Sequence, residues 1–352
     1  MLDQLEVPIV QAPLAGGPST PELAAAVCNA GGLGFVAGGY RTPDGLAEAL
    51  ARTRALTDRP FGVNLFAPTG TPAEPELVRR YAEALGPLAE RAGVALGEPR
   101  FDDDWFDAKL ALLLDHPPGV VSFTFGCPPA ETIARVRGAG SAAWVTVTDP
   151  DEAEAAVAAG ADAVVVQGVE AGGHRGSFVD RADRVDYGLL ALLALVRARV
   201  GVPLVATGGI ATGRGVAAVL AAGAAAAQIG TAFMRTPEAG TSAPHREALG
   251  SARPTGLTRA FSGRLARGIV NRFQAEHSAV APLAYPEVHH VTTPLRAHGR
   301  EVGDADVINL WAGQAHALAE ERPAAEIVAR LAEEARAAVA QVAERLGAAA
   351  AR

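Results

Sequence analysis

The chain has 352 residues, of which 49% are hydrophobic and 20% charged, and its formal net charge is −8. No run of Lys or Arg could neutralise a phosphate backbone, and no apolar run is long enough to span a bilayer, so we expect neither nucleic-acid nor membrane binding. The two cysteines, Cys28 and Cys127, lack the spacing of a disulfide framework or a thiolate metal site. The N-terminal sequence MLDQLEVPIVQAP has no apolar signal core, which predicts a cytoplasmic protein.

Eight strand-sized apolar runs alternate with helical segments along the chain. The predicted strands lie at 8–13, 32–39, 61–66, 120–126, 143–147, 163–168, 203–209 and 225–233. Asp149 and Thr212 stand where helix N-caps belong, and Gly160 and Gly223 close the helices that follow. Eight such units predict an α/β fold of the (β/α)8 TIM-barrel type rather than an open doubly wound sheet.

Two segments exceed what the barrel needs. We expect residues 1–66 and 120–233 to form the barrel, and residues 67–119 and 234–318 to pack together as an inserted cap or lid subdomain on the substrate side. The remaining residues, 319–352, predict an amphipathic helix on the outside of the barrel or on a partner subunit, which leaves a homodimer open.

The last two strands end in glycine-rich turns. ATGGIATG contains Gly208 and Gly209, and QIGTAF contains Gly230 and Thr231. Loops at these positions of α/β barrels frequently bind phosphate through backbone N–H groups. The two matched loops therefore predict a phosphate cradle, with ordinary turn glycines as the alternative.

The sixth strand leads into the sequence AVVVQGVEAGGHRG. Catalytic groups of α/β barrels lie at the carboxyl ends of the strands, and glycines allow the backbone to approach a ligand closely. Gly172 and Gly173 therefore predict a binding surface, and His174 is the candidate acid or base. The alternative is a histidine that only bonds backbone.

Other strand ends carry polar or small groups. Asn64 and Gln167 end strands with amides that suit the hydrogen-bonding edge of a flavin ring, although each could instead tie loops together. Ala15 and Gly16, in QAPLAGGPS, could lie against the flat face of the ring. With the phosphate cradle, these residues predict a flavin mononucleotide (FMN) site. Ser122 is a candidate for substrate contact inside the barrel.

Several residues in the inserted segments and loops have more than one candidate role. Trp311 and Gln314 are candidates for the substrate wall, although Trp311 could equally pack a helix. Cys127 precedes two prolines and is expected to be a turn thiol rather than a nucleophile. His289 and His290 resemble metal ligands, but we expect no metal, because adjacent histidines in an extended segment point to opposite sides.

The ordered motifs PIVQAPLAGG, FGVNLF, VSFTFGCP, QGVEAGGHRG, VATGGI and QIGTAF resemble the FMN-dependent nitronate monooxygenase family, formerly called 2-nitropropane dioxygenase. The resemblance covers roughly residues 7–235, with a weaker similarity in LWAGQ at 310–314. It implies that His174 is the catalytic histidine. It also implies an FMN-binding set made of Asn64, Gln167, Gly172, Gly209, Gln228, Ile229, Gly230 and Thr231.

The resemblance further implies oxidation of small-molecule nitronates or nitroalkanes by O2 to a carbonyl compound and nitrite. His174 would act as the base that removes the α-carbon proton, or as the cation that anchors an ionised nitronate. The same AGGHxG loop occurs in flavin-dependent enoyl-acyl-carrier-protein reductases, and related barrels oxidise NADH with a quinone as acceptor. An NAD(P)H-dependent flavin reductase is therefore one alternative, and a flavin-binding subunit of a larger complex is another.

Overall fold

The computed structural model describes residues 1–68, 70–183 and 185–347. Its strands are β1 (Ile9–Gln11), β2 (Phe35–Ala37), β3 (Gly62–Phe66), β4 (Val120–Thr124), β5 (Ala142–Val147), β6 (Ala163–Gln167), β7 (Gly173–His174), β8 (Leu204–Thr207), β9 (Ala226–Ile229), β10 (Thr255–Thr258) and β11 (Ala266–Ile269). Its helices are α1 (Pro21–Asn29), α2 (Pro43–Leu56), α3 (Pro75–Ala92), α4 (Phe106–Asp115), α5 (Ala130–Gly138), α6 (Pro150–Ala158), α7 (Leu189–Arg197), α8 (Gly213–Ala221), α9 (Ala243–Leu249), α10 (Arg272–His277), α11 (Glu287–Val302) and α12 (Ala324–Arg345).

Eight parallel strands form one sheet in the order β1-β9-β8-β6-β5-β4-β3-β2. The sheet closes between its first and last strands, because Gln11 N donates to Leu33 O at 2.8 Å and Leu33 N donates to Ile9 O at 3.0 Å. Strands buried on both faces suit a parallel barrel, and each of these strands is apolar almost throughout. The predicted (β/α)8 barrel and its eight strands are confirmed.

Capping residues lie at the ends of the barrel helices where the sequence predicts them. The Asp149 side chain accepts from Glu152 N at 2.8 Å, and Thr212 Oγ1 accepts from Gly215 N at 3.2 Å. Gly160, with φ of 99°, follows the helix that Asp149 begins. The predicted caps of α6 and α8 are thereby confirmed.

One barrel helix lies in a segment that was expected to belong to the cap. Helix α4 falls within the expected cap segment 67–119, yet its buried side chains Phe106, Leu110 and Leu113 join the core between the strands and the outer helices. It is therefore the helix that follows the third barrel strand. Helix α12 packs on the outside of the barrel against α8 and α1, where it takes the place of the eighth helix.

The rest of the two inserted segments packs into one apolar cluster. Helix α3 contributes Val78, Tyr81 and Leu85, which belong to the same cluster as Phe261 and Val288 from the second segment. Tyr81 also donates its hydroxyl to Ala260 O at 2.6 Å. Strands β10 and β11 form an antiparallel sheet with β7, which contains His174. We refer to residues 67–105 and 234–318 as the cap, and the division of the chain into these units stays a prediction.

Among the described residues, no helix is long and apolar enough to cross a membrane. The homodimer and the cytoplasmic location stay predictions.

Candidate active site

A cavity of about 360 Å³ lies between the carboxyl ends of the barrel strands and the cap. Both parts of the protein contribute to its wall, and most of the residues selected from the sequence lie on it. The predicted residues on the wall are Ala15, Gly16, Asn64, Gln167, Gly172, Gly173, His174, Gly208, Gly209, Gln228, Gly230, Thr231 and Trp311.

Three predicted site residues do not line this cavity. The side chain of Ile229 is buried in the core between strands and helices, because its neighbours Gln228 and Gly230 are the residues that face inward. Ser122 is buried and its hydroxyl accepts from Asn64 Nδ2 at 2.9 Å, so it supports Asn64 rather than meeting a ligand. Gln314 is solvent-exposed, and it contacts the barrel through its backbone N–H, which donates to Glu170 O.

His174 lies on β7 inside an aromatic enclosure. Its ring centroid is 5.4 Å from that of Trp311, 5.6 Å from that of Phe125 and 5.8 Å from that of Tyr285. Burial, together with the charges of Arg264 and Arg296, lowers the pKa of this imidazole to about 3. His174 is therefore neutral at pH 7.

The hydrogen bonds around His174 indicate its tautomer. Nε2 lies 2.8 Å from Ser262 Oγ, and the serine hydroxyl lies 3.2 Å from Arg264 O, a carbonyl that can only accept. Ser262 therefore donates to this carbonyl and accepts from Nε2–H. Nδ1 keeps its lone pair and makes no hydrogen bond with the described residues.

Gln167 holds the histidine loop in place. Its Nε2 donates to His174 O at 3.1 Å, and its Oε1 accepts from Arg175 Nη1 and from Gly176 N, both at 2.9 Å. Of the two interpretations that the sequence leaves open for this amide, the contacts favour the tie between loops, because three of its hydrogen-bonding positions are already used.

Two other amides are available to a ligand. Asn64 uses its Nδ2 on Ser122 and Thr124, whereas its Oδ1 makes no hydrogen bond with the described residues. The Gln228 side chain lines the cavity and makes no side-chain hydrogen bond with them at all. A ligand that has both donors and acceptors at its edge would satisfy these groups.

The glycines around the cavity act in different ways. A Cβ on Gly172 would overlap the backbone of Ala312 and Gly313, so this glycine is required by the LWAGQ segment. Gly173 and Gly16 have φ of 75° and 84°, and a Cβ on either would meet no atom within 4 Å, so both leave the cavity open.

Unpaired backbone donors collect at the ends of β8 and β9. The N–H groups of Gly209, Gly230 and Thr231 donate to no other group of the described residues, and all three residues line the cavity. Gly209 has φ of 68°, a conformation that glycine adopts without strain. Clustered, free N–H groups at this end of a barrel are suited to bind a phosphate group.

The cap adds wall residues that the sequence does not single out. Ser262 and Arg296 line the cavity, and Tyr40 stacks on His289 with ring centroids 4.3 Å apart. The expectation of an extended segment at His289 and His290 is wrong, because both residues lie on helix α11, where His290 pairs with Asp102 at 2.9 Å. No local sequence signal marks Ser262, since its significance comes only from a contact with a residue 88 positions away.

Cys127 does not line the cavity, and its Sγ has only a 3.5 Å contact with Pro128 O. Burial raises the pKa of this thiol to about 11. A thiol that stays protonated is a poor nucleophile, which agrees with the interpretation as a turn residue.

A closed parallel barrel with a cavity and a neutral, half-buried histidine at its strand ends defines a (β/α)8-barrel enzyme. The family model described as "Nitronate monooxygenase" matches residues 1–334. A nitronate monooxygenase of Pseudomonas aeruginosa is 44% identical over 344 residues, which are 94% of this chain and 97% of the relative. A nitronate monooxygenase of Paraburkholderia phytofirmans is 42% identical and covers 93% of this chain and 92% of its own length.

Among solved structures, a nitroalkane oxidase from Streptomyces ansochromogenes superimposes with a TM-score of 0.94 at 53% identity, covering 97% of this chain and 99% of that one. FabK from Thermotoga maritima superimposes with a TM-score of 0.77 at 28% identity, covering 98% and 97%. The chain belongs to the nitronate monooxygenase family, which is a family of oxidoreductases.

Proposed function

We propose that this protein oxidises alkyl nitronates, and neutral nitroalkanes more slowly, in an FMN-dependent reaction with O2 that yields a carbonyl compound and nitrite. The observation that carries the proposal is one cavity whose wall contains both free backbone N–H groups and a neutral histidine with an open Nδ1. Membership of the family supports the same activity.

The residues present fit a flavin mononucleotide. The N–H groups of Gly209, Gly230 and Thr231 would hold its phosphate. Asn64 Oδ1 and the Gln228 amide would meet the hydrogen-bonding edge of its ring, while Gly173 leaves room beside the ring face. When bound, FMN supplies the one-electron chemistry that links the nitronate to dioxygen.

His174 would accept the α-carbon proton of a neutral nitroalkane at Nδ1. Ser262 holds Nε2 and so keeps the lone pair on the other nitrogen, where a substrate in the cavity can reach it. A pKa near 3 makes this imidazole a weak base, and the driving force for proton transfer falls with the pKa of the base. A nitronate has already lost that proton, so we assign it as the preferred substrate.

The low pKa also bears on the second role considered for His174. A cationic anchor needs an imidazolium, and at pH 7 an imidazole with a pKa near 3 is almost fully neutral. The role as base or hydrogen-bonding group is therefore favoured over the role as charged anchor.

The first experiment measures the flavin and the oxygen uptake of the purified protein. We expect the denatured supernatant to contain FMN, and oxygen uptake to begin on addition of propionate 3-nitronate. His174→Asn should retain FMN and lose turnover of neutral nitroalkane far more than turnover of nitronate. A colourless protein, or oxygen uptake that no nitronate stimulates, would contradict the proposal.

The similarity to FabK over nearly the whole chain favours one competing function, a flavin reductase that uses NADH or NADPH. Anaerobic addition of each nucleotide tests it. Rapid bleaching of the flavin absorbance would support the reductase, whereas the nitronate oxidase predicts bleaching with nitronate and little change with either nucleotide.

A further inference from the structure

The cap places a buried guanidinium on the cavity wall. Arg296, on helix α11, is only 5% exposed, yet its side chain lines the cavity. Burial lowers its pKa to about 10, so it keeps its positive charge at pH 7. Its charge also contributes to lowering the pKa of His174, and both side chains line the same cavity.

No carboxylate of the described residues pairs with this guanidinium. The guanidinium contacts neutral groups, which are Thr292 Oγ1 at 3.0 Å, Thr293 Oγ1 and His289 O at 2.8 Å, His289 Nδ1 at 3.3 Å and Asn309 Oδ1 at 3.4 Å. Among the described residues that line the cavity, none is Asp or Glu, whereas Arg300 lies one helical turn beyond Arg296 on the same wall. A buried charge without a counter-ion is costly, so an anionic ligand would be bound favourably here.

The geometry leaves a donor for that ligand. Within the described part of the chain Nη1 has a single contact, at 3.4 Å to Asn309 Oδ1. It carries two N–H groups, so at least one N–H has no partner among these residues. An N–H of a charged guanidinium forms a strong, charge-assisted hydrogen bond with an anionic oxygen. The two oxygens of a nitronate share its negative charge, so either of them could accept from Nη1.

We propose that Arg296 binds the nitronate oxygens and that the enzyme thereby selects the ionised form of its substrate. This inference rests on the proposed function and divides the site into two parts. His174 supplies a neutral proton acceptor, and Arg296 supplies the charge that an imidazole in this enclosure does not carry.

The phosphate of the flavin is the other anion that the cavity would receive. The free N–H groups of Gly209, Gly230 and Thr231 already supply a cradle for it on the barrel loops, whereas Arg296 belongs to the cap. The two roles of Arg296 make different predictions. If Arg296 bound the phosphate, its substitution would release flavin, whereas if it binds the substrate, its substitution would lower the affinity of the protein for the nitronate.

The test compares the flavin-loaded wild-type protein with the variants Arg296→Gln and Arg296→Lys. Arg272→Gln is the control, because it removes the same charge at another position of the cap. Arg272 lies exposed on the cap and does not line the cavity. Loss of a charge-assisted hydrogen bond raises KM for nitronate by about tenfold or more in the glutamine variant. KM for a neutral nitroalkane should change much less. The lysine variant keeps the positive charge but places its N–H donors differently, so its KM for nitronate should lie between the values of the wild-type protein and of Arg296→Gln.

A binding readout that needs no turnover uses nitrate, a planar oxyanion. Sodium nitrate should raise the Tm of the wild-type protein above that in sodium chloride of equal ionic strength, and Arg296→Gln should abolish the difference while the control keeps it. An unchanged KM together with an unchanged nitrate shift in Arg296→Gln would overturn the inference, as would loss of flavin with a normal KM.

If the wild-type protein shows the nitrate shift but oxidises no nitronate, only the proposed reaction fails. If the glutamine variant does not fold, the KM of the lysine variant for nitronate and the effect of nitrate on the Tm of the wild-type protein test the inference instead.

Discussion

Nε2 of His174 lies 2.8 Å from the hydroxyl of Ser262, a residue that follows it by 88 positions. One partner belongs to the loop after the sixth barrel strand, and the other belongs to the cap. The candidate active site is therefore complete only when the cap is docked on the barrel. The contact assigns the proton of the ring to Nε2 and leaves Nδ1 open.

Ser262→Ala removes this contact and tests the assignment of the tautomer. Loss of the acceptor leaves Nε2–H unpaired, so we expect turnover of neutral nitroalkane to fall by about tenfold to a hundredfold, with FMN retained. Ser177→Ala is the matched control, because its hydroxyl is buried nearby and makes no hydrogen bond with the described residues. Equal effects of the two substitutions on kcat would mean that Ser262 does not orient the histidine.

The low pKa of His174 predicts how stability depends on pH. Because the pKa falls from an ordinary value of 6.5 to about 3 on folding, the unfolded chain binds the proton more readily than the folded one. The free energy of unfolding should therefore decrease as pH falls from about 6.5 towards 3. Thermal unfolding between pH 7 and 4 measures this, and His174→Asn should flatten the curve whereas substitution of the exposed His116 should not. Parallel curves for all three proteins would contradict the shift.

The one lysine of the chain is predicted to stabilise the loop beside Tyr40. Lys109 is 1% exposed, and its Nζ lies 2.7 Å from Asp104 Oδ2 and 2.9 Å from Gly38 O. Breaking a buried pair typically costs about 3–5 kcal/mol, so Lys109→Met should lower the free energy of unfolding by about that much. Chemical denaturation provides the measurement, with Arg79→Gln on an exposed pair as the control, for which we expect less than about 1 kcal/mol.

Gly172 and Gly173 should respond differently to alanine. The added methyl at Gly172 would meet the backbone of Ala312, so the LWAGQ segment must move away from Thr231, and we expect loss of bound flavin together with a lower Tm. At Gly173 the methyl meets open space, and only the strain of a φ of 75° applies, at about 1–2 kcal/mol. Flavin content per chain and Tm are the measurements. Gly138→Ala, on helix α5 with open space around it, should lower neither quantity. Similar flavin retention in the Gly172 and Gly173 variants would contradict the difference.

Local pattern predicts much of this fold. The eight strands, the N-caps Asp149 and Thr212, and the position of His174 beyond the sixth strand follow from apolar runs, capping residues and glycines that act over a few positions. Because parallel strands bring their carboxyl ends together, the same pattern also predicts that the loops of Asn64, Gln167, Gly209 and Gln228 surround one cavity.

Side-chain direction and long-range packing determine which side chains reach the cavity. Ile229 lies between two wall residues in sequence, yet its side chain faces the helices. Ser122 lies on the same strand as the wall residue Thr124, yet it supports Asn64. Ser262 and Arg296 reach the cavity only because an apolar cluster docks the cap segments on each other and because β11 pairs with β7 of the histidine loop. The chain alone thus determined the barrel, its strand order along the sequence and the loop that holds the histidine. Only the tertiary structure decided the neutral state of His174 and the unpaired charge beside it, since both depend on burial by residues far apart in the sequence.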